Sequence, residues 1–403
     1  MKRDSYSGGN TYVSPSTLSK TTIPVNNGAI DIEYTIANGD AILNIANSNF
    51  SSIIDTSINN TVIFDASKVT NATSVVIPAS ALKSISEKNL AVTVILLNGT
   101  VAFSKTSIAA VVAAATGTTI SVVVQDARSK LNDKQKKTVS DSTIYDISVI
   151  SNSVRITSFG DGILTVSIPY TLPTGVKATQ VVPYSLKDDG SIELVSGKYD
   201  AMNKKMVLKL SHLSKYVLKT NRVTYSVESG WNDADSFDFT VQRGLFDKFL
   251  KDGKITASDT ISREDFIVSL MKAMGIQPMT EFTVEQFADV NSANSAYLRT
   301  ARELGVIAGV ENNKFEPERA ATRGEEFQVI YNLINSGLIS LDTVATNGKK
   351  IDDFGDAADI PTWLKPALAY LLEMGIIVGD GLNLNVNDDF TLGETAVLVM
   401  RLS

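Results

Sequence analysis

Ala321-Thr322-Arg323-Gly324-Glu325 opens a helix, and two other stretches share its pattern: Ile261-Ser262-Arg263-Glu264-Asp265 and Phe390-Thr391-Leu392-Gly393-Glu394. In each, a Ser or Thr is followed three residues later by an acid. That is capping-box spacing, in which the hydroxyl accepts the N3 backbone N–H and the acid reaches back to the N-cap amide. Glu leads the acid position, so Asp265 is the weaker partner. An apolar helix follows each cap: Phe266, Ile267, Leu270, Met271 and Met274, then Phe327, Ile330, Leu333 and Ile334, then Val397, Leu398, Met400 and Leu402.

Similarity extends upstream. An apolar residue (Ile255, Phe315, Leu384) stands seven positions before each cap. Phe287-Ala288-Asp289 matches Phe354-Gly355-Asp356, and Leu304-Gly305-Val306-Ile307-Ala308-Gly309 matches Met374-Gly375-Ile376-Ile377-Val378-Gly379. The caps are 60 and 69 residues apart. Recurrence of this kind signals supersecondary units that bury their faces against one another. The insert Ser340–Lys350 accounts for the longer interval.

The order Phe-x-Asp, helix, Gly-Val-Ile-x-Gly, Phe-x-Pro, then Thr-Arg-x-Glu resembles the S-layer homology (SLH) domain, which usually occurs as three tandem copies. The copies fall at about 225–281, 282–340 and 341–403. The second matches nearly throughout, including Phe315-Glu316-Pro317. The third has Leu392 in place of Arg. The first keeps Ser262-Arg263-Glu264, but its opening Trp231-Asn232-Asp233 fits poorly. The resemblance implies an all-α bundle over 221–403, with the capped helices at the centre of a pseudo-threefold arrangement. It also implies a ligand: an anionic, commonly pyruvylated secondary cell-wall polysaccharide held in grooves between copies. By position, Arg263 and Arg323 are the implied contacts, followed by Asp289, Gly309 and Asp356. Leu392 cannot hold a carboxylate.

Read from the residues alone, Arg263 and Arg323 each follow an N-cap. The helix N-terminus offers positive potential and free N–H groups, and the guanidinium fork suits a carboxylate. Two readings stand side by side: the arginines hold an anionic glycan group, or each pairs with an acid of the neighbouring copy. Glu264, Glu325 and Glu394 serve the helix starts, and Gly305 and Gly375 allow a tight turn after a helix.

Upstream, residues 1–20 are rich in Ser, Gly, Thr and Asn and read as linker. Residues 21–118 read as a β-rich α+β module. Its signals are Asn38-Gly39 and Asn98-Gly99 hairpins and helices over Ala79–Glu87 and Thr106–Ala115. Residues 119–220 read as a β-sandwich-like module, interrupted by a basic exposed loop from Arg128 to Lys137 and turning at Asp188-Asp189-Gly190-Ser191. Ile77-Pro78-Ala79-Ser80-Ala81-Leu82, Val166-Ser167-Ile168-Pro169-Tyr170 and Ser211-His212-Leu213-Ser214-Lys215-Tyr216 are similar to a region that often precedes SLH triplets in surface proteins of Gram-positive bacteria.

Composition narrows the function. The chain has 403 residues, no cysteine, a single histidine and a formal net charge of -7. A net negative chain argues against nucleic acid. Without Cys and with one His, the common zinc sites are excluded. His212 reads as structural. No phosphate loop or Gly-x-Ser-x-Gly elbow occurs, so no catalytic residue, cofactor or metal is expected. Asp233, Asp235 and Asp238 form an acidic turn that lacks the glycine and final Glu of a calcium loop. The longest apolar run, Ile108 to Ala115, cannot span a bilayer, and no signal peptide opens the chain. An exported protein with this sequence is then a mature form or a fragment. The expectation is a non-catalytic protein of the extracellular cell wall or S-layer, anchored to a peptidoglycan-associated polysaccharide. The alternative is a self-assembling S-layer protein whose partner is another copy of itself.

Overall fold

Alternating apolar residues make strands of much of the described chain before Thr220. In Ala91–Leu96, Val92, Val94 and Leu96 point inward and are buried, while Ala91, Thr93 and Ile95 are half-buried on the other face. A computed structural model describes residues 33–37, 40–44, 57, 59–160, 162–228, 231, 233–339 and 348–403. The expected linker and residues 340–347 of the expected insert lie outside these.

The strands are β1 (Glu33–Ala37), β2 (Asp40–Asn44), β3 (Thr61–Asp65), β4 (Ser74–Pro78), β5 (Ala91–Leu96), β6 (Gly99–Phe103), β7 (Thr119–Asp126), β8 (Thr143–Ser151), β9 (Val154–Ile156), β10 (Leu164–Pro169), β11 (Val181–Leu186), β12 (Ile192–Leu194), β13 (Ser196–Asp200), β14 (Lys205–Leu210) and β15 (Lys215–Thr220). One sheet runs β1-β2-β4-β7-β8-β15-β11-β12, with β9 beside β8, and the other runs β13-β14-β10-β6-β5-β3. Most pairs are antiparallel; β2 with β4 and β3 with β5 are parallel. Two helices, α1 (Ala79–Glu87) and α2 (Lys105–Ala114), pack together and against the strands.

The expected division at 118/119 falls inside these sheets. β4 pairs with β7 along its length, β6 pairs with β10, and one apolar core runs from Ala41 to Leu218. The reason is edge satisfaction: β4 and β6 alone would leave rows of backbone groups open. Later strands pair with them, so the region is a single β-rich unit with two mixed sheets and helices. The turn signals mark local hairpins and say nothing about which strands meet across the unit.

β1 pairs with β2 up to Ala37↔Asp40, the expected turn residues Asn38 and Gly39 lying outside the described residues, and β5 pairs with β6 up to Leu96↔Gly99. The second turn is Leu97-Asn98, one residue earlier than expected, and Gly99 already belongs to β6. A Cβ there would sit 3.0 Å from the Ser167 carbonyl oxygen of β10. The basic stretch is not a loop. A 3-10 turn at Arg128–Lys130 leads into a helix, α3 (Asp133–Val139), opened by a capping box between Asn132 and Gln135.

The C-terminal part is helical. After the short parallel pair β16 (Ser226–Glu228) and β17 (Lys254–Thr256) its helices are α4 (Ala234–Gln242), α5 (Arg263–Ala273), α6 (Ser295–Glu303), α7 (Arg323–Asn335), α8 (Lys365–Glu373) and α9 (Leu392–Leu402). The helices opened by Ser262, Thr322 and Thr391 each pack against another helix: α5 on α6, α7 on α8, and α9 back on α4. The residues just before the caps close a ring. Ile261 N–H donates to Phe390 O (3.0 Å), Ala321 N–H to Ile261 O (3.0 Å) and Phe390 N–H to Ala321 O (2.7 Å). All three are fully buried, and Phe390 packs its ring edge-on against Phe266 and Phe327.

Arg243 joins the two parts. It is 7 % exposed, stacks over Phe239 and donates to the carbonyls of Thr179 (3.0 Å), Phe239 (3.2 Å) and Gly197 (3.0 Å). Gln242 exchanges bonds with both backbone groups of Val223, and Asn221 donates to the Gln242 carbonyl.

Candidate functional site

The three N-caps form as the spacing predicts. Ser262, Thr322 and Thr391 accept the N3 amides of Asp265, Glu325 and Glu394. Glu325 and Glu394 also reach back to the N-cap amides, each at 3.0 Å. Asp265, one methylene shorter, instead bonds the Ser262 hydroxyl (2.7 Å) and Lys248 Nζ (2.6 Å).

The free amides expected at these helix starts are all taken. Arg263 and Glu264 donate to Arg319 O and Pro317 O, Arg323 and Gly324 to Asp388 O and Val386 O, and Leu392 and Gly393 to Asp259 O and Ala257 O. Unpaired helix-start donors are costly once buried, and here the neighbouring repeat supplies the acceptors. What these helix starts still present to an anion is therefore the guanidinium and not the backbone.

Both guanidinium groups are bound along one edge. Arg263 Nε donates to Phe315 O (3.0 Å) and its Nη1 lies 2.8 Å from Glu325 Oε1, with the group over the Phe315 ring. Arg323 Nε donates to Leu384 O (3.0 Å) and its Nη1 pairs with Glu394 Oε1. Of the two readings of these arginines, pairing with the next copy's acid is the one the geometry realises. Glu394 is fixed by its own cap, since Oε2 holds the Thr391 amide and hydroxyl while Oε1 meets Arg323. Burial lowers the Arg323 pKa from its usual value, and Asp388, Asp380 and Asp356 work against that shift.

Asp289 and Asp356 act one step back. Asp289 accepts the amides of Phe315 and Glu316 at 2.8 Å each. Asp356 accepts those of Leu384 and Asn385. Each thus holds the loop whose carbonyl receives the arginine Nε, so both position the site through the backbone. Burial would raise the Asp289 pKa, but the two amides outweigh it and hold the carboxyl below its usual range. Gly309 allows close packing, because a Cβ there would lie 2.7 Å from both Lys314 O and the Phe287 ring. Gly379 is in the same position against Phe354 and Asn383 O.

Arg323 also borders open space. A cleft of about 180 Å³ is lined by Arg323, Glu394, Arg401, Trp231, Gly379 and the apolar residues around Val397. Trp231 precedes α4 and lies on Gly393, where a Cβ would come within 2.6 Å of the indole. Its edge meets Phe237, and its Nε1 is buried without a hydrogen-bond partner. Arg401 donates to Ile376 O at 2.7 Å. Trp231, Arg401, Lys248 and Arg319, whose guanidinium also pairs with Glu325 at 2.5 Å, were not legible as site residues. The one available signal was a tryptophan standing where a repeat opening is expected. Leu392 is fully buried. At that third boundary the capping acid Asp265 takes its cation from Lys248.

The acidic turn at 233–238 splits its tasks: Asp233 caps α4, and Asp238 is buried against Gln242 and Thr179. Among the described residues no cluster of three His, Cys, Asp or Glu is placed to hold a metal. His212 bridges to Ser158, and burial lowers its pKa.

Comparison with known families matches residues 286–325 and 353–396 to the S-layer homology domain. The C-terminal part of the chain therefore carries S-layer homology sequence, a domain type associated with the cell surface and cell wall, where it mediates anchoring or S-layer association. A search of the curated proteins finds no match. No helix among the described residues is long and apolar enough to cross a membrane.

Proposed function

We propose that the C-terminal repeats anchor this protein non-covalently to an anionic, pyruvylated secondary cell-wall polysaccharide, and that the β-rich unit serves as spacer or display unit without catalysis. The reading takes 225–281, 282–340 and 341–403 as three repeats about a pseudo-threefold axis, supported by the closed ring of Ile261, Ala321 and Phe390. The observation that carries the function is the cleft where Arg323, Arg401 and Trp231 converge. Two guanidinium groups and one carboxylate line the cleft, and an indole offers an apolar face to a sugar ring. A sugar carboxylate entering there meets Arg323 with Glu394 already held back by its cap. A fixed counter-carboxylate weakens each anion contact but selects ligands whose charge sits beside Arg401.

The test is co-sedimentation with purified wall polysaccharide, native and chemically depyruvylated. Binding to the native polymer alone is the expected result. Arg323→Lys keeps the charge and loses the planar fork, and should weaken binding while Lys83→Ala on α1 leaves it unchanged. Equal binding of both polymers, or an unaffected Arg323→Lys variant, rejects the cleft as the site.

A further inference from the structure

Charge is divided unevenly along this chain. Residues 1–220 carry 21 Lys and Arg against 16 Asp and Glu, a net of +5, whereas residues 221–403 carry 16 against 28, a net of -12. The basic excess peaks between 128 and 137, where Arg128, Lys130, Lys134, Lys136 and Lys137 face one acid, Asp133.

This stretch is built as a rigid strip. Gln135 and Val139, one turn apart on α3, are buried, and Val139 packs with Leu131 and Val217 in a small core of its own. The Gln135 amide donates to Lys187 O (3.1 Å), Asn132 to Asp188 O (2.8 Å) and the Thr138 hydroxyl to Gly190 O (2.6 Å). Gly190, at φ +86°, lets that loop lie on the helix backbone, since a Cβ would come within 3.0 Å of Lys134. Arg128 is spent internally on the carbonyls of Ser140 and Ser142. Lys130, Lys134, Lys136 and Lys137 are exposed. Their nearest recorded ion pair is Lys136 with Asp133 at 3.8 Å, between two largely exposed groups, which contributes little. The packed face of α3 is Gln135 and Val139, so the core beneath does not need these charges, and the nearest acids of the apposed loop, Asp188 and Asp189, lie beside Gln135 and Lys134.

We propose that this lysine strip is a second contact surface of the protein, and that its partner is a linear polyanionic glycan. Two observations favour a polymer over an acidic protein face. No large hydrophobic side chain is exposed along the strip, although exposed ones occur elsewhere, at Trp363 and Leu382 among others; the buried core of a protein interface is enriched in such groups and depleted of Lys. The outward cations are also all lysines, mobile point charges that follow a charged chain without demanding one fixed carboxylate geometry. The β-rich unit then contributes charge-driven, sequence-tolerant attachment, separate from the cleft beside Arg323 and independent of whether that cleft binds pyruvate.

The experiment uses the full chain and polygalacturonate, with neutral dextran of matched length as control, titrated from low to high salt. The unsubstituted protein should bind the polyanion and not dextran. Combining Lys130→Gln, Lys134→Gln, Lys136→Gln and Lys137→Gln should weaken binding at least tenfold and reduce the slope of log K against log salt by roughly 3, at about 0.7–0.9 per released counterion. The circular dichroism and melting temperature should stay unchanged. The same four changes to Arg should restore binding. Unchanged affinity and slope in the Gln variant overturn the proposal. So does a protein that ignores polygalacturonate but self-associates through these lysines in sedimentation velocity, which would make a second copy the occupant.

Discussion

Arg323 and Glu394, 71 residues apart in sequence and each within a stretch matched to the S-layer homology domain, form an ion pair, and Arg263 with Glu325 repeats it between the two preceding capped helices. In both, the acid is the N3 member of a helix cap and the arginine is N1 of the preceding capped helix. A single carboxylate therefore serves two structures: one oxygen satisfies its own helix start and the other ties down a neighbour. The arginine side chains are only 11 % and 13 % exposed, so each pair is partly desolvated and its loss is felt.

The Arg323–Glu394 pair should couple the two stretches matched to the S-layer homology domain. Arg323→Met leaves Glu394 partly buried without its cation, at a cost of about 1–3 kcal/mol. Glu394→Gln keeps the cap acceptor and loses the pair. A double-mutant cycle by urea unfolding should give a coupling of about 1 kcal/mol or more. Additive effects would mean that the pair contributes nothing beyond its separate members.

Glu326 should make stability fall as pH rises. It is 1 % exposed, one carboxyl oxygen has no partner, and burial is the largest cause of a pKa raised well above 4.5, partly opposed by Arg263. A carboxyl whose folded pKa exceeds its unfolded one stabilises fully below the unfolded value. That contribution is lost as pH climbs from about 4.5 toward the folded value. Glu326→Gln should therefore gain on the unsubstituted protein from pH 5 upward, by at most about 1.4 kcal/mol per pH unit until Glu326 ionises. Parallel stability curves for the two proteins from pH 4 to 8 would contradict this.

Arg243 should decide whether the β-rich unit and the helical repeats unfold together. Its three backbone acceptors lie on both parts, and Arg243→Ala strips them of their donor. Lysine cannot span all three. We expect one calorimetric transition for the unsubstituted protein and two for Arg243→Ala, with the β-rich unit keeping its own core. A single transition at a lower temperature would show that other contacts suffice.

Gly393→Ala should disturb the cleft through Trp231. A methyl there meets the indole at 2.6 Å, and overpacking of this kind costs about 1–3 kcal/mol. The other tryptophan, Trp363, is 57 % exposed and distant in sequence, so a change in the blue part of the emission reports Trp231. Identical emission and stability would mean that the indole moves aside freely.

Much of the fold was legible because it is local. A hydroxyl three residues before an acid caps a helix wherever the helix lies, so Thr322 and Thr391 behaved as their spacing demands. The β5–β6 hairpin turned within one residue of its Asn98-Gly99 signal for a similar reason. The helix at 133–139 was missed because its cap is Asn132 with Gln135, and its charge reads as loop. Asp289, Asp356 and Gly309 stood out as repeated positions, yet their tasks, bracing a loop or admitting a phenyl ring, depend on atoms far away in sequence.

The sequence by itself determined where helices start, where hairpins turn and that the last third repeats, since neighbours within a few residues settle those energies. Only the tertiary structure decided that residues on either side of 118 share two sheets, that the helix-start amides are consumed by the next repeat, and that Trp231 meets Arg323 across a cleft. Those outcomes rest on burying backbone donors and apolar faces against whichever distant segment completes them. No local pattern in the chain encodes that choice.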